Sequence, residues 1–548
     1  MTGSTMTAPL TSTHMTGGAP ASPDRGLRPA ASLALLGAVL GMIGLPWDIA
    51  QHIEGVRESV LSPQHLMILA GLGAWAVAGL LAIVSRPVGV PLMARRGGVV
   101  LAIGAGTSLF GFPLDAAWHG LFGIDVTLWG PTHLLMLLGG IGSSIGTWML
   151  VLAAWPPARS FGGRVVGTIG ASFLLATLTS FQLEYAFQVP QFPLVLQPIL
   201  SAVAASVGLV AARMALGRGG AVFATLGWMA LTAVVVNGWL QAFGYEAISS
   251  SMLLASAMVV ELAWIAPVRS LARRAVTAGV LAGVVGVFAQ GAWAQFSGND
   301  HGWNLDGSAT LWLGAIAVSV VGALVGVTLG ANVGDEQIDR LGSTSAWSWK
   351  FVGAIVVVAA VLAAPIAMHD ADPIGYDLTS VRERGKTVTL AFAIADADVA
   401  GATWANVTST HGGGRILSPL TRVAPDAYEA RGVRVDGSWH ASLRIAHGSD
   451  LQHVRLRAPK SLYAEQYVEL TTGRGVTTSE EPVPTADQPT WLPIAAYLVL
   501  AAAALASLMA LRAALVLDRF TIPARMHRIA RLGGRGIDAG DSRARARA

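Results

Sequence analysis

Residues 31–71 read ASLALLGAVLGMIGLPWDIAQHIEGVRESVLSPQHLMILAG, and this stretch decides the fold. An apolar run of membrane length ends in Asp48 and His52. A short loop of about a dozen residues follows, and Pro63 then opens a second apolar run in which His65 is the third residue. About 20 apolar residues suffice to cross a bilayer core, so the stretch predicts two membrane helices joined by a short loop that carries ionisable groups. Stretches of comparable length fall near 31–52, 63–85, 98–119, 131–154, 163–186, 193–215, 220–245, 250–268, 274–296, 308–331, 347–368 and 490–516. The expected architecture is a polytopic α-helical membrane protein of about 12 transmembrane helices.

Composition agrees. Of 548 residues, 53% are hydrophobic and 12% charged, against about 25% charged in a soluble domain, and the mean hydropathy is +0.57. The 64 glycines suit close helix packing in lipid. With no cysteine, disulfides, thiolate zinc sites, iron–sulfur clusters and cysteine nucleophiles are excluded. A net charge of +4 supports no nucleic-acid role.

Charge placement orients the chain, because short cytoplasmic loops keep an excess of Lys and Arg. Every even-numbered gap through the eighth is basic: Arg86, Arg95 and Arg96, then Arg159 and Arg164, Arg213 and Arg218, and Arg269, Arg273 and Arg274. The odd gaps hold Glu54, Glu58, Asp125, Glu246, Asp300 and Asp306. Both termini are therefore expected in the cytoplasm of a bacterial plasma-membrane protein. The expected divisions are a disordered leader over 1–28, a helical membrane region over 29–368, an extracytoplasmic antiparallel β-sandwich over 369–489, a last helix over 490–516 and a basic tail over 517–548. The sandwich is read from TVTLAFAI, WHASLRIA and HVRLRAP, which alternate polar and apolar side chains between Gly, Asp and Pro clusters.

The sentence quoted first is repeated as GFPLDAAWHGLFGIDVTLWGPTHLLMLLGG over 111–140. Gly44, Pro46, Asp48, Ala50 and His52 match Gly111, Pro113, Asp115, Ala117 and His119. After a one-residue insertion, Pro63, His65, Leu66 and Gly71 match Pro131, His133, Leu134 and Gly139. The repeat thus relates 44–71 to 111–139. Asp and His at i and i+4 share a helix face. The third member, His65 or His133, falls in the first turn of the next helix, where the dipole disfavours a protonated ring and a neutral imidazole can bind metal. Two imidazoles and one carboxylate with open positions suit copper, iron or zinc. Duplicated helix-end chemistry accounts for the same residues without a metal. Glu184 in SFQLEYAFQVPQFP is a further ligand, a proton relay or a snorkelling carboxylate, and His301 in GNDHGWNLDG is a ligand from above or a solvated loop residue. Glu261, Asn237 and Gln241 read as interhelical hydrogen-bonding groups.

The order Asp, three residues, His, about a dozen residues, His, at the outer end of a membrane helix resembles the copper site in the C subunit of the copper membrane monooxygenases, the particulate methane and ammonia monooxygenase family. Asp48, His52 and His65 match that spacing, and Asp115, His119 and His133 match it with one residue more, over about 30 residues in each copy. In that family the site belongs to a three-chain complex with a separate copper-binding β-domain, whereas here one chain carries two copies of the motif and its own β segment. The β segment also looks like small immunoglobulin-like modules of bacterial metal-handling membrane proteins. The resemblance implies a copper cofactor, a small apolar substrate entering from the bilayer, and partner membrane subunits. Copper-dependent oxidation and copper handling without chemistry both fit. So do a proton-coupled transporter using Asp48, Asp115 and Glu184 and a haem held by facing histidines.

Overall fold

The computed structural model describes residues 23–54, 61–84, 92–122, 128–187, 196–245, 247–249, 252–266, 270–296, 309–333, 372–402, 404–411, 414–435, 439–447, 450–457, 470–479, 491, 495–507, 509–510 and 513. His301, the expected helix over 347–368 and the basic tail lie outside them. Among the described residues, nine helices are long and apolar enough to cross a membrane, and the chain is a multi-pass membrane protein. In chain order the helices are α1 (Pro23–Glu54), α2 (Pro63–Val84), α3 (Leu92–Phe122), α4 (Pro131–Ala154), α5 (Phe161–Ala186), α6 (Leu196–Leu216), α7 (Gly220–Ala242), α8 (Leu254–Ile265), α9 (Leu271–Trp293) and α10 (Ala309–Val333).

Two expectations shift. Helix α1 starts at Pro23, inside the stretch read as a leader. Proline is preorganised for a first helical position, Leu27 is buried, and the Arg28 guanidinium lies 5.9 Å from the Trp155 ring centroid. The span expected over 250–268 is the shorter α8. It stops at Ala266, whose ψ of 143° is the extended conformation imposed on a residue preceding proline.

Helices α1 to α4 close into a ring: α1 packs on α2, α2 on α3, α3 on α4, and α4 returns to α1. Lipid offers no hydrophobic gain for helix association, so small residues that admit close backbone approach hold the seams. At the α3–α4 seam a Cβ on Gly139 would sit 2.6 Å from the Gly104 carbonyl oxygen. One on Gly146 would sit 2.5 Å from the Leu101 nitrogen. Indole donors bridge helices as well: Trp75 donates to the Ala34 carbonyl at 2.9 Å and Trp148 to that of Gly167 at 2.9 Å. The ring sets the ends of α1 and α3 beside the starts of α2 and α4, which gathers both copies of the repeated motif at one end.

A separate β region holds two antiparallel five-stranded sheets. Strands β1 (Gly375–Arg384), β2 (Thr387–Ile394), β5 (Thr421–Ala424), β6 (Ala427–Arg434) and β9 (Gly473–Val476) form the first, in the order β5-β6-β2-β1-β9. Strands β3 (Trp404–His411), β4 (Gly414–Pro419), β7 (His440–His447), β8 (Asp450–Arg457) and β10 (Thr478–Ser479) form the second, in the order β10-β8-β7-β3-β4. The run TVTLAFAI is β2, with every second residue buried. Phe392 and Leu390 of the first sheet share one buried cluster with Val407, Leu443 and Leu456 of the second. Thr477 links the sheets, its hydroxyl donating to Gln452 at 2.9 Å and accepting from the Ile374 nitrogen at 2.9 Å. Among the described residues, α12 (Ala495–Ser507) comes after the five-residue helix α11 (Asp396–Ala400) and packs on α3, with Ser507 and Thr107 hydroxyls 2.9 Å apart.

Candidate metal centre

Each copy of the motif is built the same way. Asp48 and His52 project from the last turns of α1, and Asp115 and His119 from those of α3, because positions four apart share a face. Pro63 and Pro131 open the next helices, and the first turns close through Leu66 N–H to the Ser62 carbonyl at 2.9 Å and Leu134 N–H to the Gly130 carbonyl at 3.0 Å. Those turns aim His65 and His133 back at the carboxylates. His65 Nε2 lies 2.9 Å from Asp48 Oδ1. In the second copy, His119 Nε2 lies 3.2 Å from Asp115 Oδ2 and His133 Nε2 lies 3.3 Å from Asp115 Oδ1.

Within each group one ligand atom per residue lies within 4.8 Å of the others, so Asp48, His52 and His65, and likewise Asp115, His119 and His133, can hold a metal ion. Donors around a tetrahedral ion at about 2.1 Å stand about 3.4 Å apart. The second group is already near that spacing.

The surroundings of the two groups differ at positions where the repeat itself differs. Beside the first, Gln64 donates to Gln51 at 2.8 Å and joins the two helix ends. The counterpart of Gln64 is Thr132, whose hydroxyl donates to Asp115 Oδ1 at 2.5 Å. The loop before His133 is held from several sides. Glu184 accepts the Leu128 backbone N–H, the Tyr497 hydroxyl donates to the Trp129 carbonyl at 2.8 Å, and the Trp129 ring stacks 6.2 Å from Phe181. Trp404 of β3 packs against the same Trp129 and Tyr185 cluster.

Glu184 is 1% exposed and so does not snorkel, and it belongs to neither metal-holding group. Its carboxylate positions the loop that leads into His133. Glu261 accepts from the Gly219 and Ala221 nitrogens, both at 3.0 Å, and lies 2.8 Å from Arg213 Nε, tying α8 to the start of α7. Asn237 bonds both backbone groups of Ile248, at 3.1 and 3.0 Å, and so fastens a loop rather than a neighbouring helix. Gln51, Gln64, Thr132 and Tyr497 escape sequence reasoning. For the middle two, the signal was present as the one pair of polar residues that replace each other directly before the repeated histidines.

Asp48, His52, His65, Asp115 and His133 line a cavity of about 200 Å³ inside the helical region. Its wall is largely apolar, with Pro46, Ile49, Ile68, Phe112 and Met136 close to the ligands in sequence. A π-helical turn, Thr232–Val236, interrupts α7 and contributes Thr232 and Val236 to the same cavity.

Fold and site together define a multi-pass membrane protein with two Asp/His/His groups able to hold metal ions. Comparison with known proteins finds no family model, no curated protein and no solved structure that matches the chain.

Proposed function

We propose that this is a bacterial plasma-membrane copper protein whose Asp/His/His groups serve the oxidation of a small apolar molecule by dioxygen. The β region is then an extracytoplasmic sandwich, and both termini are cytoplasmic. One observation carries the reading: residues of both groups line one largely apolar cavity among the membrane helices. A cavity of about 150 Å³ lined by apolar side chains accommodates benzene, so about 200 Å³ fits a molecule of a few carbon atoms. Four imidazoles and two carboxylates, without thiolates, are a donor set that copper accepts, and the motif spacing resembles that of the copper membrane monooxygenases.

When bound, copper supplies the redox chemistry that lets dioxygen attack a C–H bond. The chain itself does the rest. Asp48 and Asp115 bring compensating negative charge, the histidines fix ligand geometry, and the apolar wall excludes water and concentrates substrate. Monooxygenation puts one oxygen atom into the substrate and reduces the other to water, which takes two electrons and two protons. The reading therefore requires a separate electron donor, and partner membrane subunits are its natural place.

Elemental analysis of the detergent-purified protein, beside a variant lacking His52, His65, His119 and His133, tests the reading. Copper in the first and not in the second is expected, with Asp48→Asn plus Asp115→Asn as the milder variant should the quadruple change impair folding. Substrate-dependent dioxygen uptake by the copper-loaded protein is expected next. Metal-free protein after copper-replete growth would overturn it and favour proton-coupled transport. That second reading draws on the polar side of the cavity, where Ser144, Thr177, Gln182 and Gln290 line the wall and the Ser144 and Thr177 hydroxyls are 2.6 Å apart.

A further inference from the structure

We infer that the two Asp/His/His groups form one dinuclear centre, with two metal ions held in a single four-imidazole cluster. This deepens the metal-binding reading above and rests on it. The spacing of the rings carries the inference. Within the groups, ring centroids are 6.5 Å apart for His52 and His65 and 5.8 Å for His119 and His133. Between the groups, His52 is 6.2 Å from His119 and 6.5 Å from His133. The repeat divides the four histidines into two pairs, but in space His52 is as near to the second pair as to its own partner.

The helix ring explains why. Because α4 packs back on α1, His52 at the end of α1 comes within ring-contact distance of His119 at the end of α3 and of His133 at the start of α4. The copies interlock further at Phe112 of α3, which meets His65 of the first group edge-on at 5.6 Å. Asp48 and Asp115 line the same cavity, so each ion would keep a carboxylate of its own. Paired metal ions can act together on one bound molecule, a task that separate mononuclear sites do not perform.

The test uses copper(II) and the full-length protein in detergent, reading metal content together with electron paramagnetic resonance. Two coppers per chain, a half-field transition and distorted main-field lines are expected. His65→Ala should then leave one copper whose spectrum becomes that of an isolated ion, because its magnetic neighbour is gone. Asp48→Asn provides the same readout if the histidine change destabilises the protein. Two coppers with full, independent spin intensity would overturn the dinuclear centre while leaving the metal reading intact. A single bound copper per chain, abolished by substitution in either group, would overturn it in favour of one ion shared by four rings. No bound copper would overturn both readings together.

Discussion

Substituting Gly139→Ala tests the link between the glycine seam and the second metal group. An alanine Cβ at this position would lie 2.3 Å from Ser108 Oγ, 2.6 Å from the Gly104 carbonyl oxygen and 2.7 Å from the Ser108 nitrogen. The Ser108 hydroxyl can rotate, although it would give up its 2.8 Å bond to the Met136 carbonyl. The two backbone atoms cannot rotate away. Restoring ordinary 3.4 Å contacts to both backbone atoms requires α3 and α4 to part by about 0.8 Å. Overpacking of this kind costs about 1–3 kcal/mol. Gly139 lies six residues beyond His133 on α4, about 9 Å along the axis, so the parting reaches the ligands. Metal–ligand distances tolerate only about ±0.2 Å, and the second group should lose about 10-fold or more in metal affinity. The first group, on α1 and α2, should change less. Thermal unfolding in detergent measures the stability loss, and metal titration of variants confined to one group measures the affinities. A folded Gly139→Ala protein with unchanged stability and unchanged second-site affinity would refute the reasoning.

Glu261→Gln should destabilise the helical region by about 2 kcal/mol. The change leaves Arg213 without a counter-charge, and the cost is below the 3–5 kcal/mol of a fully buried pair because the two side chains keep 12% and 14% exposure; an unchanged unfolding temperature would refute the pair's role. In the β region, burial and then the neighbouring Arg455 and Arg444 hold the His453 imidazole well below its ordinary value of 6.5. The unfolded chain then takes up a proton below that pH while the folded region does not, so stability present above 6.5 is lost as pH falls beneath it. Unfolding of the full-length protein followed by β-sheet circular dichroism should show this slope, and His453→Gln should flatten it; a parallel slope in the variant would exclude His453 as its source. For topology, alkaline phosphatase fused after residue 300 should be active and after residue 218 inactive, and the reverse pattern would place the metal groups on the cytoplasmic side.

Much of the fold is legible because lipid imposes one rule on each segment. A long apolar run such as 131–154 has to be a helix, and α4 spans Pro131–Ala154. The strand TVTLAFAI is equally plain, because alternation of period two leaves one face for a core. Three-residue groups were readable because Asp48 with His52, and Asp115 with His119, are local pairs repeated in register. Their joining was not, since it depends on α4 returning to α1, and no local pattern in the sequence encodes that contact. Glu184 shows the same limit: its type and depth announce a partner, but only the folded loop identifies that partner as the backbone of Leu128.

The hydroxyl of Tyr497 on the Trp129 carbonyl joins positions 368 residues apart. A chain emerging from its N-terminus can pair α1 to α4 early, since their contacts are sequential or nearly so. One fastening of the loop ahead of His133, that from Tyr497, waits for α12. Synthesis of α12 is thereby coupled to the final setting of that loop, so a product truncated before it would carry all six ligands but lack the Tyr497 bond, leaving Glu184 and Phe181 to hold the loop ahead of His133.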